Sequence, residues 1–253
     1  MKRAIFFLAI SLLCMTPVLA GASQITIFDN QKDSSNNSWY NRTGEDQEVE
    51  PGAVYTQEWD LEGMFFDGRY LSMVGGWNFI GKLSDIGSGD IFISTTGNVS
   101  YGSGISDPSV KSTIKNSFGY NYVFDVDWAS RSYTLREINK DTMVTATTYF
   151  GTANPVAYAS GDVRQVGSGF FSYESGLSDA ATGFTGDLNG GSHYRVSGFD
   201  LSGILGQDQS FIAHFTQECG NDILMGQVPE PATLILLGMG LLGMSAIMGR
   251  KIS

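Results

Sequence analysis

Apolar and polar positions alternate along most of this chain in short runs, and the clearest run is Tyr120 to Trp128. Tyr120, Tyr122, Phe124, Val126 and Trp128 fall on one face, and Asn121, Val123, Asp125 and Asp127 on the other. A period of two is that of a half-buried strand, which predicts the first set in a core and the second in water. Ala129-Ser130 interrupts the run and Tyr133 and Leu135 resume it, which predicts a hairpin. Further strands are expected at Gln24–Phe28, Ala53–Trp59, Tyr70–Val74, Trp77–Ile80, Asp90–Ser94, Thr142–Phe150, Gly169–Tyr173, Tyr194–Asp200 and Ser210–Thr216. Turn chemistry separates them: Gly75-Gly76, Gly97-Asn98 and Asn189-Gly190-Gly191.

No stretch between residues 21 and 227 holds a 3.6-residue period. Many short strands joined by glycine-rich turns predict an all-β fold, an antiparallel β-sandwich of jelly-roll type, with a flattened barrel as the alternative. Residues 30–52 lack apolar periodicity and read as a long loop or irregular edge. Pro51, Pro108 and Pro155 fall in expected connections, where a missing N–H costs no ladder bond. Gly220 to Val228 reads as a short linker after the last strand.

Both ends break the pattern. Lys2-Arg3 is followed by an apolar stretch from Ala4 to Leu13. Val18-Leu19-Ala20 and Ala20-Gly21-Ala22 then carry the small residues a signal peptidase requires. Residues 1–20 therefore read as a signal peptide. At the other end, Val228-Pro229-Glu230-Pro231 leads into residues 232–249, which carry no charge, and then Arg250-Lys251. As a helix, residues 232–249 would span roughly 27 Å, enough to cross a hydrocarbon core. The basic pair would stay on the cytoplasmic side. The expected organisation is a signal peptide (1–20), a β-sandwich ectodomain (21–227) and a C-terminal segment (228–253) holding a transmembrane helix.

This order of Pro-Glu-Pro, apolar helix and basic end resembles the PEP-CTERM sorting signal of Gram-negative bacteria. Segments of this kind also carry the family label ice-binding protein C-terminal domain. The resemblance implies export, an inner-membrane intermediate, and recognition by an exosortase through Val228, Pro229, Glu230, Pro231, Arg250 and Lys251. Delivery to the cell surface or extracellular matrix would follow. The segment His214-Phe215-Thr216-Gln217-Glu218-Cys219-Gly220-Asn221-Asp222 resembles the stretch that closes the exported domain in such proteins. A flat ice-binding face would need regular threonine rows, and Thr145-Ala146-Thr147-Thr148 is too short to supply one.

Charge narrows the partners. The chain carries a formal net charge of −11. Lys2 and Arg3 leave with the signal peptide, and Arg250 and Lys251 against Glu230 leave the tail at +1, so the body stands near −14. Nucleic acid is excluded as a partner on that balance. With Cys14 in the signal peptide, Cys219 stands alone and no intrachain disulfide is possible; burial as a small hydrophobe is expected.

Candidate chemistry is sparse. His193 and His214 are the two histidines, too few for a multi-imidazole metal site. Gly238-x-Gly240-x-x-Gly243 copies a dinucleotide fingerprint inside the apolar tail, without the strand and helix that give the motif meaning. His214 with Cys219 could be imagined as a catalytic pair, but alternation with Phe211, Ala213 and Phe215 puts His214 in solvent. Asp125 and Asp127 would lie about 7 Å apart on one strand face, a spacing glycosidases use. Solvent-facing acids are ordinary in so acidic a chain, and no enzyme is expected. No cofactor is required. A structural calcium ion could sit at Asp29 with Asp33, or at Asp187 with Asn189. Trp39 and Tyr40, aromatics in a polar stretch, could stack on sugar rings. The expected role is a structural or adhesive surface protein in contact with exopolysaccharide or biofilm matrix. A carbohydrate-binding module is the alternative, and a glycoside hydrolase is a more distant one.

Overall fold

In the computed structural model the residues described are 22–27, 54, 56–99, 112–147, 153–161, 163–185, 188, 190–206 and 210–229. They form fourteen strands: β1 (Ser23–Gln24), β2 (Leu61–Phe66), β3 (Tyr70–Gly75), β4 (Ile91–Ser94), β5 (Ser112–Lys115), β6 (Tyr122–Asp127), β7 (Ser132–Glu137), β8 (Met143–Ala146), β9 (Ala157–Ser160), β10 (Arg164–Phe170), β11 (Ser172–Leu177), β12 (His193–Asp200), β13 (Phe211–Thr216) and β14 (Ile223–Val228). One helical turn, α1 (Asp179–Thr182), joins β11 to β12, and a 3-10 turn occupies Gln57–Trp59.

The strands build three antiparallel sheets. The first runs β1-β2-β3-β12-β11, the second β10-β7-β6-β4-β13-β14, and the third β5-β8-β9. Period two sorts the second sheet into two faces. Ile91 and Ile93 of β4, Phe124 of β6 and Phe211, Ala213 and Phe215 of β13 meet Leu61, Met64, Leu71, Met73, Val196 and Phe199 of the first sheet in the main core. Phe92 and Val123 point the other way, into a second core with Phe118, Tyr120, Ile138 and Val144 under the third sheet. The fold is thus the expected all-β sandwich, with its larger sheet partly covered on both faces.

That double cover explains where alternation misled. Val123, expected in water, is fully buried because the third sheet packs over it. His214, expected on a wet face, is also fully buried, between the rings of Phe92 and Tyr120. The β6–β7 hairpin forms as expected, pairing Asp127 with Ser132 around residues 128–131. Asp127 Oδ1 accepts the amides of Ala129 and Ser130, a local bond that favours the turn.

Other expectations are corrected. Within 53–59, residues 57–59 form the 3-10 turn, with Trp59 N–H donating to Thr56 O at 2.8 Å. Gly76 makes room for that turn, since a Cβ there would lie 1.7 Å from Gln57 O. Trp77–Ile80 is a turn closed by Gly81 N–H on Asn78 O; Trp77 and Phe79 are buried in alternation without a ladder partner. Gly169–Tyr173 is broken at Phe171, whose amide donates to Arg131 O, so β10 ends and β11 begins there. Gly220–Val228 is no linker: residues 223–228 are β14, paired with β13 along its full length. Strands β2, β5 and β9 fall outside the expected strands, and β10 meets them only at residues 169–170.

One seam of the sandwich is closed. Residues 23–24 pair with β2, and Thr26 bridges Gly226 of β14. Ile25 N–H donates to Met64 O, Ile27 N–H to Met225 O, and Gln227 N–H to Ile25 O. The N-terminal segment therefore passes from the first sheet to the second and satisfies edge groups on both. The expectation of a sandwich holds, with a barrel-like closure along this one seam.

Candidate functional site

The C-terminal junction is built on the β13–β14 hairpin. Phe211 pairs with Val228 and Thr216 with Ile223, and every side chain from Phe211 to Thr216 is buried. Val228 is half-buried and closes β14, and Pro229, with no N–H to give a ladder, is exposed. The Pro-Glu-Pro motif thus follows a core strand with no spacer.

The loop between these strands is a clasp. Thr216, Gln217, Asn221 and Asp222 are 2 % exposed or less. Gln217 Nε2 donates to Trp59 O at 2.7 Å and its Oε1 accepts Asp222 N–H at 2.9 Å. Asn221 exchanges two bonds with the backbone of Val54. Asp222 accepts Leu61 N–H at 2.7 Å on Oδ2 and Ile223 N–H at 2.7 Å on Oδ1. Polar side chains are buried here because each is hydrogen-bonded to backbone, and Gln217 and Asp222 each satisfy two segments at once. The clasp ties the root of β14 to the entry of β2, and it coincides with the segment 214–222 singled out by resemblance.

A second polar cluster escaped the sequence reading. Glu62 sits at a bulge of β2, where the register shifts between Leu61 and Gly63. Its carboxylate is 2 % exposed and lies 2.6 and 2.8 Å from His193 Nδ1. Gln57 Nε2 donates to Glu62 Oε1 at 2.7 Å. His193 Nε2 lies 2.9 Å from Oδ1 of Asp179, a residue half exposed at the start of α1. Burial pushes the Glu62 carboxyl above its ordinary value, against the pull of Gln57 and His193. Arg195 Nη2 donates to Ala181 O and Thr182 O, holding the end of α1 over the cluster. The chain Glu62–His193–Asp179 runs from the interior to the surface, and its contacts among the described residues include no serine or cysteine. Its visible work is to pin α1 to the first sheet. A lone acid in the apolar run Leu61-Glu62-Gly63-Met64-Phe65-Phe66 was the signal for it.

Two other buried groups titrate far from their ordinary values. Asp90 accepts Val126 N–H on Oδ1 and Tyr158 N–H on Oδ2, linking second and third sheets, and burial pushes its carboxyl up to about 7. His214 Nε2 lies 2.8 Å from Pro155 O, and burial lowers the ring to about 4, so it is neutral and donates there.

The residues singled out by sequence are distributed as follows. Asp125 and Asp127 are each engaged locally: Asp125 is bridged to Arg136 at 2.8 Å and Asp127 caps the hairpin. His214 faces Met225 Sδ and Pro155 O, and Cys219, half-buried, is in the clasp where its carbonyl accepts Thr147 Oγ1. Trp39, Tyr40, Asp29, Asp33, Asp187, Asn189, Glu230, Pro231, Arg250 and Lys251 lie outside the described residues. Among the described residues no group of three or more His, Cys, Asp or Glu could hold a metal ion. Among them, too, no helix is long and apolar enough to cross a membrane; the expected span at 232–249 lies beyond them.

A family model, the PEP-CTERM protein-sorting motif, matches residues 227–251. No curated protein and no solved structure matches the chain. The chain carries the sorting motif its C-terminal residues resemble, and with it the signature of an exported protein recognised by an exosortase and sorted through the membrane to the cell surface.

Proposed function

We propose that the mature protein is a structural or adhesive component of the surface or extracellular matrix of a Gram-negative bacterium, in contact with exopolysaccharide or biofilm. The observation that carries this reading is the junction: the matched motif starts at residue 227, inside β14. The cargo delivered by the tail is therefore the sandwich itself, joined through a core strand. A body of high negative charge stays soluble beside an anionic cell envelope. The protein acts without catalysis: its buried acids and histidines are engaged with backbone or with one another, and this supports bracing over turnover. No cofactor is needed. Structural calcium at Asp29 and Asp33, or at Asp187 and Asn189, would serve only to hold loops.

The test is the intact mass of the protein recovered from the matrix and surface of its own cells. A mass lacking the first 20 or so residues and the segment beyond Pro229–Pro231 is expected. A mass retaining residues 232–253 would make the tail a permanent anchor, and the matrix reading would fall.

A further inference from the structure

Beside the 3-10 turn lies an open cleft of about 210 Å³, lined by Glu58, Gly76, Trp77, Asn78, Lys82, Leu83 and Tyr194. Its walls are fixed. Tyr194 is stacked on Tyr173, with ring centroids 6.0 Å apart and planes 19° apart. The Arg131 guanidinium sits over Tyr173 at 5.1 Å. Tyr173 O–H donates to Asn78 Oδ1 at 2.9 Å, which sets the orientation of that amide. Trp77 is locked by its indole N–H on Ser88 Oγ. Gly76 keeps the floor low, because a Cβ there would collide with Gln57.

The polar groups are set differently. With its oxygen taken by Tyr173, Asn78 retains Nδ2 as a donor, and that atom makes no hydrogen bond among the described residues. Glu58 and Lys82 are exposed and make no ion pair among the described residues. An anchored aromatic ring, an amide donor, a carboxylate acceptor and an ammonium donor at one cleft are the groups that recognise a sugar ring. The ring packs on the apolar C–H face, and the others meet hydroxyls that are at once donors and acceptors. The volume is below the roughly 300–1,000 Å³ of drug-sized pockets, so it suits a single ring of a chain crossing the surface.

We infer that this cleft is a subsite for one neutral pyranose unit of a polysaccharide, with Tyr194 as the stacking platform and Glu58, Asn78 and Lys82 as hydroxyl partners. Neutrality follows from charge: Glu58 and Lys82 balance each other at the cleft, and a chain at −11 repels a polyanion. The inference rests on the polysaccharide-contact reading above and names where that contact is made.

The test is affinity electrophoresis of the full chain in mild non-ionic detergent. Native gels contain hydroxyethylcellulose, galactomannan or dextran as neutral polymers, or alginate as the anionic one. Retardation by at least one neutral polymer is expected. Tyr194→Ala should weaken it about tenfold, as loss of one aromatic stack implies, while Tyr194→Phe keeps it. Glu58→Gln and Lys82→Ala, at exposed positions that leave the fold intact, should each weaken it severalfold. Equal retardation of wild type and all variants would overturn the subsite. So would retardation by alginate alone or by no neutral polymer. Co-sedimentation of wild type with the native matrix separates the two claims: a protein that pellets with the matrix yet is indifferent to the cleft variants refutes the subsite and leaves the matrix role standing.

Discussion

Asp90 and His214 pull the pH dependence of stability in opposite directions, and single substitutions should unmask each. His214 is lowered from its ordinary 6.5 to about 4 by burial. Its folded value lies below its unfolded one, so its contribution is present above pH 6.5 and is lost as pH falls through 4. At about 1.4 kcal/mol per pH unit the loss is about 3 kcal/mol. Asp90 is raised from 3.8 to about 7. Its contribution is present below pH 3.8 and is lost as pH rises through 7, a change of about 4 kcal/mol. Between pH 4 and 6.5 the folded chain holds the proton on Asp90 and the unfolded chain holds it on His214, so the two slopes cancel. In His214→Gln, which keeps a donor for Pro155 O, stability relative to wild type should fall as pH rises from 4 to 6.5. In Asp90→Asn it should rise over the same interval. Both variants carry a pH-independent cost of about 1–3 kcal/mol from an imperfectly replaced buried bond. Guanidinium unfolding followed by near-ultraviolet circular dichroism at pH 4, 5, 6 and 7 reads the difference from wild type, which removes the background of surface carboxylates. Difference profiles flat in both variants would refute the assignment of these two groups as the buried titrating pair.

The clasp and the close approach at Gly76 give two further expectations. Asp222→Ala strips the acceptor from the buried amides of Leu61 and Ile223 and should cost about 2–6 kcal/mol in the same unfolding assay. Asp222→Asn, which keeps one acceptor, should cost about half; a loss under 1 kcal/mol for alanine would remove the clasp from the account of stability. Gly76→Ala puts a methyl 1.7 Å from Gln57 O and must displace the 3-10 turn, costing about 2–4 kcal/mol. A thermal midpoint unchanged from wild type would show that the turn moves freely.

How much of this was legible depends on which faces of a strand are wet. The β6–β7 hairpin was readable because its outer positions carry Asp125 and Asp127 while Phe124 packs inside. In β2, Leu61 to Phe65 are all buried, so Leu61-Glu62-Gly63-Met64-Phe65-Phe66 shows no alternation to detect. β13 sets apolar Phe211, Ala213 and Phe215 on one face, yet His214 on the other is buried too, because Pro155 packs against it and accepts its ring N–H. That contact is set by tertiary structure alone. The Glu62–His193 pair joins positions 131 residues apart, beyond the reach of any local pattern. The C-terminal sorting motif was legible for the opposite reason: it is a linear segment, so order and spacing are its whole content.

β14 joins the two kinds of information. Its residues satisfy the second sheet on one edge and the N-terminal segment on the other, through Ala213 paired with Gly226 and Thr26 bridging the same glycine. That glycine is required by the crossing, since a Cβ there would meet Met64 Sδ at 2.6 Å and Ile25 at 3.0 Å. Residues 25–27 therefore lie alongside residues 225–227, so the N-terminal segment and the start of the matched sorting motif share one seam of the sandwich. A tail on a flexible linker would hold its motif at a distance set by chain entropy. Here the root of the tail is held by hydrogen bonds: Val228 is paired with Phe211, and Pro229, which has no N–H to give a ladder, follows the last strand directly. The matched motif begins at residue 227, within β14, so cargo and address share the last two residues of that strand and Pro229 is the first residue of the motif beyond it.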